Sequence, residues 1–310
     1  MTLPTTPPPF SLIISTRGRT WQLERLLTGF QNFSGPGFEV VVVDQNLQGL
    51  LDPILDPARW SFPINWIQRP DDRGAPLGRN LGWRAASGDF LVFPDDDAWY
   101  PPDFLERAAA ILEKTGADLL TGRSVNAEGR TINGRFARVA GPITSRSVWI
   151  QQQEWLTIIR RDIMGRIGGW PDDIGIGGPT PWQSAEGPDV ILRSIKAGAR
   201  TWYDPDLTAS HDEFDVANPD ARMMAKGRAY GRGMGFVLRK HDPNPLTIAY
   251  WMARAFAAWL SAAGRGHATR ARYLAFVALG RWEGWTRKLW SIRSPDGFDE
   301  TDTSGSGAPG

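Results

Sequence analysis

Four short apolar runs punctuate the first hundred residues, at 10–15, 38–44, 64–68 and 90–93. The segments between them are long enough for helices or crossover loops, which is the spacing of a parallel sheet. Residues 12–14 and 40–43 are apolar without alternation, as expected of strands covered on both faces. Between the first two runs Trp21, Leu23, Leu26, Leu27 and Phe30 recur at helical spacing, giving a β-α-β opening. Further helices are predicted over 78–87 and from Pro101 and Pro102 to Gly116, and over 188–197 before Gly198. Strands are predicted over 118–122, 131–139, 155–160 and 201–203, with a long ordered loop over 165–178. From about Asp220 the pattern turns helical and rich in arginine and tryptophan, interrupted near 242–245.

The predicted organisation is a flexible N-terminus over 1–9, an α/β domain over 10–219, a basic helical region over 220–293 and a disordered tail over 294–310. With 310 residues and 41% hydrophobic content, the chain can bury a sizeable core. A net charge of +1 argues against a dedicated nucleic-acid binder. That total conceals an asymmetry: residues 221–293 carry fourteen Lys or Arg against Asp242 and Glu283, a net of +12. The absence of cysteine excludes disulfides and thiol nucleophiles, and three histidines are too few for a histidine-built metal cage. No basic segment followed by an apolar one opens the chain, so the expected location is cytoplasmic. The longest apolar stretch, 246–263, holds Arg254 near its middle and is expected not to span a bilayer.

In an open parallel sheet ligands sit beyond the carboxyl ends of the strands, so the polar residues closing each apolar run are the first candidates. These are Ser15, Thr16 and Arg17 after the first run, Asp44 and Gln45 after the second, and Asp95, Asp96 and Asp97 after the fourth. Three successive carboxylates repel one another unless a cation or hydrogen-bond donors balance them. Magnesium and manganese prefer oxygen ligands and keep positions open for substrate phosphates. Asp95 and Asp97 are therefore read as ligands of such an ion on a diphosphate, with Asp96 toward ribose or sugar.

The segments SLIISTR (11–17), VVVVD (40–44), GRNLG (78–82) and FPDDD (93–97) follow one another in an order that resembles family 2 glycosyltransferases of the GT-A fold. The resemblance covers roughly residues 10–215. It implies a Rossmann-like, mostly parallel sheet flanked by helices, with a helical C-terminal appendage. It further implies transfer of a sugar, with inversion, from a nucleotide-diphospho-sugar to an acceptor hydroxyl, in a setting such as cell-envelope polysaccharide synthesis. By the same likeness Thr16, Arg17 and Asp44 contact the nucleotide, Arg79 and Asn80 approach the donor, and the Asp95 to Asp97 stretch holds Mn²⁺ or Mg²⁺. Gln45 stands where many members carry a second acid. Residues 168–172 resemble the acceptor-side loop, and 186–193 the acidic helix start that supplies the catalytic base. Because Gly187 follows Glu186 where many members have Glu-Asp, the base is Glu186 or Asp189, with Glu186 favoured. His211 matches a histidine presented to the metal or diphosphate; His241 and His267 receive no role.

The basic, tryptophan-rich region over 220–293 fits a peripheral contact with the inner face of a membrane, a lid, an oligomer interface or a plain helical cap. Arg228 and Arg232, among glycines, are expected to reach phosphate. Two other functions remain: a nucleotidyltransferase, which usually has a glycine-rich, lysine-containing phosphate loop where this chain has only Arg17, Gly18 and Arg19, and a catalytically inert nucleotide- or carbohydrate-binding module.

Overall fold

The computed structural model describes residues 9–215 and 218–290. The expectations for 1–9 and 294–310 fall, but for Pro9, outside the described residues. The described chain groups into two compact units, one formed by 9–170 with 190–213, the other by 171–189 with 214–290.

In chain order the elements are β1 (Phe10–Thr16), α1 (Trp21–Phe30), β2 (Phe38–Asp44), α2 (Asp52–Leu55), β3 (Ile64–Gln68), α3 (Ala75–Ala85), β4 (Phe90–Val92), α4 (Phe104–Thr115), β5 (Leu119–Val125), β6 (Gly141–Pro142), β7 (Ile158–Arg160), α5 (Arg161–Arg166), α6 (Glu186–Lys196), β8 (Thr201–Ser210), α7 (Ala221–His241), α8 (Pro245–Gly264) and α9 (Ala268–Thr286).

In the first unit eight strands form one sheet in the order β3-β2-β1-β4-β7-β5-β8-β6. The opening strands pair in parallel, β1 with β2 and β4, and β2 with β3. β7 runs antiparallel between β4 and β5, and β6 antiparallel to β8, so the sheet is mixed but mostly parallel. The unalternating apolar runs are buried throughout, from Leu12 to Ile14 and from Val40 to Val43. The α1 residues Leu23, Leu26, Leu27 and Phe30 join the same core. α4 ends at Gly116, whose φ of 61° is a left-handed cap that a side chain would disfavour.

Several boundaries move from the sequence-based expectation. α3 begins three residues early, because Pro76 is accommodated in its first turn. Pro101 and Pro102 precede α4 rather than opening it. The expected strand over 131–139 does not form. Only Thr131 bridges back to Val125, and the chain then turns at Asn133, whose φ is 57°. Of 155–160 only Ile158–Arg160 is extended, since a short 3₁₀ turn occupies Glu154–Leu156. The final strand runs from Thr201 to Ser210 instead of stopping at 203.

The second unit is helical. Asp220 caps α7 by accepting the Met223 N–H at 2.7 Å, and Asn244 caps α8 by accepting that of Leu246 at 3.0 Å. α7 and α9 pack with their backbones in contact. A Cβ added at Gly231 or Gly235 of α7 would fall on the carbonyl oxygens of Val277 and Arg281, and one at Gly280 or Gly284 of α9 on those of Arg228 and Arg232. Between the two helices the buried Glu283 carboxylate accepts from Arg228 at 2.6 Å and from Arg232 at 2.7 Å. The glycines flanking these arginines thus serve helix packing, and Arg228, 1% exposed, is committed to Glu283 instead of phosphate. The 171–185 loop lies on α7: Trp182 stacks on Phe236 with ring centroids 4.9 Å apart, and Ser184 donates to the Tyr230 carbonyl. Among the described residues no helix is long and apolar enough to cross a membrane.

Candidate functional site

The carboxyl ends of β1, β2 and β4 lie side by side, so the residues that follow them converge. Thr16, buried at the end of β1, donates its hydroxyl to Asp96 Oδ2 at 2.6 Å. Arg19, three residues on, donates to Asp96 Oδ1 at 2.7 Å and also pairs with Asp97 Oδ2. Burial pushes the Asp96 carboxyl up to about 6, against the opposing pull of Arg19 and Thr16. Arg25 donates to the Asp97 carbonyl at 2.6 Å. Arg17 is exposed and Ser15 half-buried. Asp44 is fully buried and accepts from the Asn46 backbone and side chain at 2.9 and 2.7 Å and from Trp66 Nε1 at 3.2 Å. Gln45 donates to the Gly74 carbonyl at 3.1 Å.

The GRNLG segment is explained by close packing of α3 on the sheet. A Cβ at Gly78 would strike the Ser15 side chain and one at Gly82 that of Ile13, so only glycine lets the helix approach β1 at both points. The close approach carries Arg79 over the aspartates. Its guanidinium, 3% exposed, donates to Asp95 Oδ1 at 2.8 Å, pairs with Glu154 and sits 4.6 Å from the Trp170 ring centroid. The Asn80 amide donates to the Trp170 carbonyl at 2.9 Å and accepts the Trp170 N–H at 2.8 Å. Both ends of this side chain therefore fix the backbone at Trp170.

β8 delivers the remaining member. Its last residue, Ser210, exchanges two backbone hydrogen bonds with Trp99, at 2.9 and 2.8 Å, which sets the next residue against the acidic run. His211 Nε2 stands 3.0 Å from Asp97 Oδ1, while its Nδ1 lies 3.1 Å from the Asp212 carbonyl. One ligand atom from each of Asp95, Asp97 and His211 falls within 4.8 Å of the others. Asp97 Oδ1 is buried and faces His211 Nε2, so a carboxylate oxygen and an imidazole nitrogen stand next to each other at the end of the acidic run. Burial lowers the basicity of His211, but the Asp97 carboxylate more than offsets it and holds the imidazole above its ordinary value. In turn burial raises Asp97, and His211 and Arg19 bring it below the usual carboxylate range. The carboxylates of Asp95, Asp96, Asp97 and Glu154 meet the guanidiniums of Arg19 and Arg79 in this cluster, and Arg25 reaches the Asp97 carbonyl. Hard oxygen donors with one imidazole suit a divalent ion such as Mg²⁺ or Mn²⁺.

The other acids belong to the second unit. Glu186, 1% exposed, accepts the Ile176 N–H at 3.2 Å, and no cation pairs with it among the described residues. Asp189, fully buried, lies 2.7 Å from His241 Nε2 and 3.1 Å from Lys240 Nζ. Reading the sequence alone missed Arg19, Glu154 and His241. Arg19 had a local signal, a second arginine after the first strand; Glu154 and His241 reach their partners across 75 and 52 residues of chain.

A family model described as glycosyl transferase family 2 matches residues 11–169, just over half of the chain. The chain belongs to glycosyl transferase family 2. Within this family of sugar-transferring enzymes, an uncharacterised glycosyltransferase of Haemophilus influenzae is 25% identical over 201 residues, covering 62% of this chain and 64% of the relative. A dolichol-phosphate mannosyltransferase of Pyrococcus furiosus is 28% identical over 129 residues, covering 41% of this chain and 36% of the relative. The chain thus spans less than two thirds of the length of these relatives. Among solved structures, the mannosyltransferase PcManGT of Pyrobaculum calidifontis, in complex with GDP-Man and Mn²⁺, aligns with a TM-score of 0.63 at 18% identity, covering 92% of this chain and 89% of that one. Residues 1–349 of Staphylococcus aureus TarS, in complex with UDP-GlcNAc, align with a TM-score of 0.57 at 18% identity, covering 93% and 95%. The GT-A-type fold of the family 2 resemblance is therefore the fold of this chain.

Proposed function

We propose that this family 2 chain transfers a sugar from a nucleotide-diphospho-sugar to an acceptor hydroxyl, with inversion at the anomeric carbon. The observation that carries the reading is the convergence of Asp95, Asp97 and His211 within 4.8 Å at the carboxyl end of a mostly parallel sheet. These three residues would hold Mn²⁺ or Mg²⁺, which supplies positive charge to the donor diphosphate as the leaving group departs. Similar folds bind GDP-Man with Mn²⁺ in PcManGT and UDP-GlcNAc in TarS, which supports a nucleotide-sugar donor here. Thr16 and Arg19 orient Asp96, so that this carboxyl faces the donor in one rotamer, and Arg79 does the same for Asp95. Asn80 acts one step removed, by fixing Trp170 under Arg79. Ser15, Arg17 and Asp44 are assigned to the nucleotide, a role supported by their position at the carboxyl ends of β1 and β2, with Arg17 as an exposed cation.

Inversion requires one carboxylate to take the acceptor hydroxyl's proton as the oxygen attacks the face opposite the leaving group. Glu186 is assigned that role in preference to Asp189, because Asp189 already faces Lys240 and His241 whereas Glu186, among the described residues, accepts one backbone N–H. A cell-envelope glycan is the proposed acceptor class, in line with the poly(ribitol-phosphate) N-acetylglucosaminyltransferase activity named for TarS, to which the chain is 28% identical over 139 residues. The test is a melting-temperature panel of nucleotide sugars with and without Mn²⁺, followed by turnover of Glu186→Gln with whichever donor stabilises the fold. The variant is expected to keep the donor-induced shift while kcat falls by about 10²-fold or more. Near-native turnover would move the base elsewhere, and a wild type that binds donor but never turns over with any hydroxyl acceptor would favour an inert binding module.

A further inference from the structure

α8 presents an apolar face that the second unit leaves uncovered. Ile248, Ala255 and Ala262, spaced by seven residues, are buried at 4%, 6% and 7% exposure. On the opposite side Leu246, Tyr250, Ala253, Ala257 and Leu260 recur at intervals of three and four, which places them on one stripe, and Phe256 lies at its margin. Leu246 is 74% exposed, Tyr250 54%, Phe256 61% and Leu260 56%. A soluble surface seldom shows so many large apolar side chains along one helix face of about 30 Å.

The charge around this face selects its occupant. From residue 243 to 282 the chain contains no Asp or Glu, yet it carries Arg254, Arg265, Arg270, Arg272 and Arg281. Arg254 is held at the edge of the apolar stripe, with its Nη1 3.1 Å from the Tyr250 hydroxyl. Arg265 and Arg270 are exposed just beyond the helix. Two copies of the chain pairing through this face would set Arg254, Arg265 and Arg270 of one against the same arginines of the other, because a twofold contact repeats the same patch on both sides. An apolar surface rimmed by cations instead matches a bilayer with anionic headgroups, where the stripe enters the acyl boundary and the arginines meet phosphate. We infer that α8 lies in the plane of an anionic membrane surface and docks the protein there as a peripheral partner, a role independent of the transfer reaction proposed above.

The test is co-sedimentation of the full chain with vesicles of phosphatidylcholine alone or of phosphatidylcholine mixed with phosphatidylglycerol, at low salt and at ~0.5 M salt. Binding is expected to the mixed vesicles at low salt, at least ~10-fold weaker to the neutral ones and weakened by salt. The double variants Leu246→Glu with Leu260→Glu and Arg265→Glu with Arg270→Glu alter exposed positions only, so native circular dichroism and melting are expected for both. Each is expected to lose at least ~10-fold in binding to the mixed vesicles. Failure of the wild type to bind, equal binding to both vesicle types, or binding unchanged in both variants would overturn the proposal. So would a wild-type dimer in light scattering that Leu246→Glu with Leu260→Glu converts to monomer without any effect on vesicle binding.

Discussion

Asp97 is the residue on which the proposed metal site turns, because one oxygen faces His211 and the other pairs with Arg19. Removing its carboxylate deletes a ligand and also releases Arg19 toward Asp96. Asp97→Ala is therefore expected to weaken Mn²⁺-dependent nucleoside diphosphate binding by about 100-fold or more in calorimetry, with metal-independent binding unaffected. The acidic run was legible in the sequence because three adjacent carboxylates need compensation wherever they stand, and His211 was legible through a family pattern. Glu154 and His241 were not, since their partners are set by tertiary contacts between distant segments, which local spacing does not encode, and Arg19 showed only as a second arginine after the first strand. The Asp189 pairing with His241 and Lys240 adds a geometric reason to the preference for Glu186 that the sequence reading already held.

At the scale of elements, the strands of the β-α-β opening were readable because unbroken apolar runs have a single stable home between two helical layers. β8 was not, since Asp204, Pro205 and Asp206 interrupt its apolar pattern. The strand continues past them by shifting register against β5, between Thr121 and Arg123, and its extra length is what brings His211 to the aspartates. The glycines of α7 around Arg228 and Arg232 misled in the other direction, suggesting phosphate where α7 and α9 need contact between backbones. Because a Cβ at Gly284 would overlap the Arg232 carbonyl, Gly284→Ala is expected to cost about 1–3 kcal/mol and lower the melting temperature. Gly264→Ala, at the end of α8 with no atom within 4 Å of the added carbon, should leave it unchanged or slightly higher. Equal melting of the two variants would disprove the packing account.

For the molecule as a whole, the near-neutral total hides a net of +12 over residues 221–293, balanced by acidic sequence elsewhere. Residues 221–293 keep one of their two acids, Glu283, buried between α7 and α9 amid that positive charge. Burial raises its carboxyl, but Arg228 and Arg232 outweigh burial and hold it below the usual range. A carboxyl lowered on folding stabilises the folded state above its unfolded value of about 4.3, and that contribution is lost as pH falls through the folded value. Acid titration followed by tryptophan fluorescence is expected to show loss of structure below that range, and Glu283→Gln should lower stability at pH 7 while flattening its dependence on acid. The order of the chain has a separate consequence. Residues 171–189 depart from the first unit, lay Trp182 and Ser184 on α7, and return through α6, so the second unit is assembled from two pieces of sequence. A chimera made by a single crossover near residue 214 would graft foreign helices onto a loop shaped for the original ones. Exchange of the C-terminal region between homologues therefore calls for two joined segments to be swapped together.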